Sequence, residues 1–278
     1  MKRFFPCGPV PPDSPAYVER PADLKVRYLV LKGTPVYLSG PPLAGKTSLL
    51  LRLGFLLLPE GFSFFYMRLE PQSTSDVLET FLKDCLQFGG KLILLVDNLE
   101  NGGYEALEIL KAWIRHNPNM PLVAAGTLFP YPYEISPMVE INLGFFYKPH
   151  IMQLAGLLDL EGKEVRKIAE SLYYWSGGYP YIAQNLCVAL AEGKSMEEAV
   201  EELIHRDKNL LPTLRGVLSA SPEAYNLYSR ILEGELINYR HALPLFRKYP
   251  FLRALVRSDE RGFARLSSPI FRHLYRPG

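Results

Sequence analysis

The sequence predicts an α/β protein, a parallel sheet flanked by helices and followed by a helical C-terminal half. Three observations carry this reading. Apolar runs alternate with helical patterns from about residue 36 to 143, the order that a parallel sheet requires. One strand-like run ends directly on a glycine turn that opens into an apolar helical stretch. Beyond Pro149 the strand patterns stop and helical periodicity takes over.

In chain order, the residues up to Pro15 are proline-rich and expected to be extended. Val36–Ser39 reads as a short strand ending at Gly40, followed by a helix over 46–58. A second strand is expected over 62–69 and an amphipathic helix over 74–88. Lys91–Asp97 runs apolar from Leu92 to Val96, the pattern of a strand buried on both faces. A helix over 104–116 and strands over 122–125 and 139–143 complete the α/β part. Helices are then expected over 151–158, 164–175, 181–192, 195–205 and 222–233. Two short runs, 255–257 and 263–266, flank the turn 259–262 and predict a hairpin. Helices followed by such a hairpin suggest a winged-helix unit. The expected domains are therefore 1–148, 149–212 and 213–278.

Composition narrows the function classes. With 48% hydrophobic residues, the 278-residue chain can bury a substantial core. Cys7, Cys85 and Cys187 are widely spaced and form no CxxC pair, which argues against a disulfide framework or a zinc site. His116, His150, His205, His241 and His273 show no ligand spacing. The N-terminus lacks the apolar run of a signal peptide. The most apolar stretch, 49–58, contains Arg52 and Gly54 and is too short to span a bilayer. A soluble, cytoplasmic protein without membrane contact is expected. Residues 213–278 hold 11 Lys/Arg against 5 Asp/Glu, a charge of +6, leaving 20 against 24 in the rest. A basic C-terminal unit suits nucleic acid or an acidic protein, although a solvated arginine-rich surface is the simpler explanation.

The segment Gly40-Pro41-Pro42-Leu43-Ala44-Gly45-Lys46-Thr47 fits the phosphate-binding pattern GxxxxGK[ST] at every defined position. Glycine lets backbone N–H groups approach phosphate, and the following helix aims its positive end at the anion. Lys46 is placed for the β- and γ-phosphates, Thr47 for magnesium, and Ser48 for the α-phosphate. The fold class therefore becomes a P-loop NTPase core with a C-terminal helical domain and a winged-helix unit. The expected ligand is ATP, or ADP, with Mg2+.

Such a site needs a carboxylate on a neighbouring strand, and Asp97 ends one. The next position, where many related ATPases place the glutamate that deprotonates water, is Asn98. An amide cannot take that proton. Glu100 lies two residues further on and would need a rearranged turn to reach the site; a solvent-facing acid near a helix start is the simpler expectation. Binding follows more directly than hydrolysis.

Together, several stretches resemble the AAA-like domain family of the STAND signal-transduction ATPases. Residues 11–23 (PPDSPAYVERPAD) are similar to its segment ahead of the loop, residues 40–50 to its phosphate loop, and 92–100 to its acidic strand. Trp175-Ser176-Gly177-Gly178-Tyr179-Pro180 is similar to its Trp-x-Gly-Gly-x-Pro segment. The resemblance implies that Val18 and Arg20 lie near the adenine and that Pro180 touches the nucleotide from the helical domain. Read without it, Gly-Gly-Tyr-Pro is a helix stop followed by a helix start. No arginine sensor stands at 124–127, where Thr127 is a candidate for the γ-phosphate, the lytic water or a cap. The resemblance further implies a nucleotide-dependent switch with slow turnover, a separate protein effector and nucleotide-dependent oligomers. A DNA-associated ATPase and a pseudo-ATPase scaffold are the alternatives.

Overall fold

The structure, a computed structural model, describes residues 4–6, 8–73, 75–127, 135–249 and 251–274. It divides into two compact units. The first comprises Pro9–Gly40 and Gly45–Gly144; the second comprises Phe145 onward, the crest Pro41–Ala44, and the described residues before Pro9.

The first unit contains α1 (Pro21–Leu31), β1 (Val36–Ser39), α2 (Lys46–Leu57), β2 (Phe62–Arg68), α3 (Ser75–Leu86), β3 (Lys91–Asp97), α4 (Gly103–His116), β4 (Leu122–Gly126) and β5 (Val139–Asn142). Its strands form one sheet in the order β2-β3-β4-β1-β5, with every pairing parallel. The period-two alternation of β3 explains its unbroken apolar run. Leu92, Leu94 and Val96 join Leu78, Leu82, Leu110 and Trp113 from α3 and α4 on one face. Ile93 and Leu95 pack on the other face with Val26 and Val30 of α1 and Leu49, Leu50 and Leu53 of α2. Each such side chain stabilises the fold by about 1.5–3 kcal/mol through burial. Because the strands are parallel, Gly40, Asp97 and Thr127 leave the same edge of the sheet.

The second unit contains α5 (Lys148–Ala155), α6 (Gly162–Ser176), α7 (Pro180–Ala191), α8 (Met196–Arg206), α9 (Leu210–Ser219), α10 (Pro222–Leu232), α11 (Tyr239–Lys248) and α12 (Leu252–Leu255). The strands β6 (Val256–Ser258) and β7 (Ala264–Leu266) pair antiparallel, and a 3-10 turn, Pro269–Leu274, closes the described chain. No described helix is long and apolar enough to cross a membrane.

Four helices went unforeseen, and the others shift by a few residues at their ends. The expected start of α3 at Thr74 lies outside the described residues. In α1, Leu24, Tyr28 and Leu31 are exposed while Val26 and Val30 are buried, so apolar residues on both faces blur the period. α9 contains Pro212 and α11 contains Pro244, and a proline inside a helix interrupts the pattern by which a helix is recognised. Pro212 sits in the first turn of its helix, where the missing N–H costs no helical hydrogen bond. The boundary expected between 212 and 213 consequently falls inside α9. α12 is a single turn, too short for periodicity to mark.

Candidate functional site

Gly45 adopts the left-handed backbone, φ 94°, and α2 begins at the next residue. A Cβ there would come within 3.2 Å of the Arg20 guanidinium, so glycine serves both the backbone and the close approach. The Lys46 ammonium donates to the Gly40 carbonyl at 2.9 Å, which folds the side chain back across the loop. Burial pushes the lysine down to about 8, against the opposing pull of Glu100 and then Asp97.

Thr47 Oγ1 donates to Asp97 Oδ2 at 2.5 Å, and Asp97 is fully buried. The carboxylate also accepts from the Tyr66 hydroxyl at 3.0 Å and from the Asn98 amide at 3.0 Å. Two hard oxygen donors therefore lie side by side at the start of α2 and the end of β3. This donor set fits magnesium, which one hydroxyl and one carboxylate would hold with phosphate oxygens and water completing the shell.

Asn98 takes the left-handed conformation, φ 56° and ψ 44°, which asparagine tolerates better than most residues. The turn it opens, Leu99–Gly102, brings Glu100 back to the site. The simpler sequence expectation, a solvent-facing Glu100, is therefore corrected. Its Oε1 accepts from Thr127 Oγ1 at 2.7 Å, and its buried Oε2 has no hydrogen-bond partner among the described residues. Glu100 is also the largest electrostatic support for the charged form of Lys46. A Cβ on Gly126 would fall 2.7 Å from the Tyr37 hydroxyl and 3.0 Å from Glu100 Oε2, so the glycine at the end of β4 makes room for this acid.

The segment ahead of the loop is wired to α2. The Val10 amide donates to Ser48 Oγ at 3.0 Å, Arg52 donates to the Pro12 carbonyl, and the Arg52 guanidinium lies 5.1 Å from the Tyr17 ring centroid. Val18 and Arg20 are both buried. Arg20 reaches the Gly144 carbonyl at 3.5 Å and pairs with Asp23 at 3.7 Å, while burial lowers its pKa. Ser48 is thus engaged by Val10 in this state.

Within the second unit, Gly177 and Gly178 are both left-handed. A Cβ on either would strike backbone, that of Ser267 for Gly177 and that of Phe146 for Gly178. Pro180 is buried in the first turn of α7. Tyr179, which sequence reasoning passed over, donates its hydroxyl to the carbonyl of Pro42 in the crest of the loop. Its ring lies 4.8 Å from that of Phe145. The only signal in the sequence was an aromatic residue between two glycines and a proline. Gly40, Pro41 and Ala44 are buried, and Lys46, Thr47 and Ser48 form the first turn of α2. Leu43 is left-handed and exposed.

No protein-family model and no curated protein matches the sequence. Among solved structures, the chain is similar to the Walker-type ATPase PABY2304 of Pyrococcus abyssi, with a TM-score of 0.59 and 14% identity over 93% of this chain and 95% of that one. It is also similar to a single-residue variant of RuvB from Thermotoga maritima, with a TM-score of 0.52 and 19% identity over 92% of this chain and 93% of that one. At such identities the likeness concerns the fold. The chain shares the P-loop NTPase fold of these structures, a parallel five-stranded sheet with a helical C-terminal part.

Proposed function

We propose that the protein is an ATP-binding molecular switch with slow hydrolysis, coupling nucleotide state to a partner-binding surface. The observation that carries this is the cluster of Lys46, Thr47 and Asp97 at one sheet edge, beside a left-handed Gly45 at the start of a helix. Backbone N–H groups at the start of α2 bind phosphate oxygens, and Lys46 leaves the Gly40 carbonyl to neutralise the β- and γ-phosphates. Thr47 and Asp97 would hold magnesium, which would supply charge neutralisation. Val18 and Arg20 flank the base, and Pro180 marks the nucleotide-responsive end of α7.

Slow turnover follows from the acid. Asn98 cannot accept a proton, so Glu100 acts as the base that takes it from the attacking water. Its hydrogen bond from Thr127 holds it in a resting position and makes turnover the rarer event. The experiment is ATP binding and turnover for the native chain, Lys46→Ala and Glu100→Gln. Loss of binding in the first variant and loss of turnover alone in the second are expected. Equal turnover in native and Glu100→Gln protein removes Glu100 from the mechanism.

The +6 charge of residues 213–278 favours a second reading, a DNA-associated ATPase whose C-terminal helices and β6–β7 hairpin form a winged helix. A protein effector is the partner under the first reading, and nucleotide-dependent self-association is compatible with both.

A further inference from the structure

The second unit contains a cavity of about 280 Å³ whose wall joins α6, the end of α10, both hairpin strands and the 3-10 turn. Three arginines line it, Arg257 from β6, Arg265 from β7 and Arg272 from the turn. No acidic residue is among its described lining. Arg257 and Arg265 stand directly opposite each other in the hairpin register. Like charges so placed destabilise a strand pair unless a counter-charge lies between them. Arg265 pairs with Asp259 at 3.3 Å, whereas no described carboxylate pairs with Arg257 or Arg272. The cavity therefore carries an uncompensated positive charge.

Tyr174, in the last turn of α6, lines the same cavity and is 61% exposed. Its ring and that of Trp175 meet in a T-shaped arrangement, with centroids 5.2 Å apart and planes at 78°, and most of the tyrosine stays open to solvent. Guanidinium groups bind phosphate oxygens as forks, and an open aromatic face stacks a nucleobase.

We infer that this cavity binds single-stranded nucleic acid, with one base stacked on Tyr174 and the adjoining phosphates on Arg257 and Arg272. The proposal rests on the nucleic-acid reading of residues 213–278 and sharpens it. A duplex keeps its bases stacked inside, beyond the reach of a tyrosine in a concave site, so a strand is the favoured form. Arg261, at the hairpin turn, does not line the cavity and contributes little.

The test is fluorescence anisotropy of a dye-labelled twelve-nucleotide oligothymidine and of a duplex of equal length, titrated with the full chain without any nucleoside triphosphate. Omitting the triphosphate keeps a failure here separate from any failure of the ATP reading. The strand should bind more tightly than the duplex, and more weakly as salt rises from about 50 to 200 mM. The double variant Arg257→Ala/Arg272→Ala should bind at least about tenfold more weakly, and Tyr174→Ala about tenfold, while Tyr174→Phe and Arg261→Ala stay within about twofold of native. Arg272→Ala alone, at an exposed position, supplies the measurement if the double variant does not fold, and should weaken binding severalfold. Unlabelled oligothymidine should displace the probe where equal concentrations of thymidine monophosphate or pyrophosphate do not. Four results would overturn the proposal: native affinity in the arginine variants, native affinity in Tyr174→Ala, preference for duplex, or equal displacement by pyrophosphate.

Discussion

Burial shifts the protonation of Lys46, the charged side chain of the loop. Its pKa is pushed down to about 8 chiefly by burial, so at pH 8 about half of the ligand-free molecules carry a neutral lysine. Phosphate oxygens favour the charged form. Binding ATP at pH 8 should therefore take up about half a proton from this group, rising toward one at pH 9 and falling close to none at pH 6.5. Calorimetry in buffers of different ionisation enthalpy measures this uptake. The stability of the ligand-free protein moves in the opposite sense. Unfolding releases a more basic lysine, so this group's contribution improves as pH rises from about 8 to its ordinary range. Glu100→Gln should lower turnover about 10²–10⁴-fold while ATP affinity stays within a few-fold of native. Thr127→Val removes only the hydrogen bond that holds Glu100 and should raise turnover. A fall in single-turnover rate would instead make Thr127 a positioning residue for the reaction. Asn98→Glu should destabilise the protein by about 1 kcal/mol in thermal unfolding, because the left-handed backbone at 98 disfavours glutamate; Asn98→Gly should be close to neutral.

At the scale of elements, the phosphate loop and acidic strand were legible because their chemistry dictates residue type and spacing. Gly40, Gly45, Lys46, Thr47 and Asp97 announce themselves locally. Glu100 did not, because its return to the site depends on a left-handed turn at Asn98 that no periodicity marks. The helices containing Pro212 and Pro244 were lost for a related reason, since a proline reads as a break unless its position within the turn is known. The glycine pair before α7 shows a constraint that sequence hinted at without explaining. Gly177 and Gly178 bring backbone against the backbone of Ser267 and Phe146, and Ser268 adds a hydrogen bond to the Trp175 carbonyl. Substituting alanine at either glycine requires both a disfavoured backbone and a backbone displacement. Gly178→Ala should destabilise the protein by at least about 2–3 kcal/mol in denaturant unfolding, whereas Gly193→Ala, where φ is 84° but space is open, should cost only about 1 kcal/mol.

For the whole molecule, a switch requires that ATP bind one state of the chain better than another. Saturating Mg-ATP should stabilise the native protein through simple linkage, by about 2.7 kcal/mol at one hundred times Kd, and so raise its unfolding temperature. The five-stranded sheet and the alternation that builds it were readable from the sequence, while the division into units was readable only coarsely. The crest Pro41–Ala44 clusters with the helical unit although the residues on either side belong to the sheet unit, and local pattern carries no trace of such an exchange. Everything proposed for the nucleotide depends on Gly40–Thr47 being a working ATP site. Calorimetric titration of Mg-ATP into native and Lys46→Ala protein at pH 7 decides this. Saturable binding to native protein is expected, with at least about hundredfold weaker binding to the variant, equivalent to about 2.7 kcal/mol. No saturable binding by the native chain, or equal affinity in both proteins, would show that Gly40–Thr47 does not hold the nucleotide.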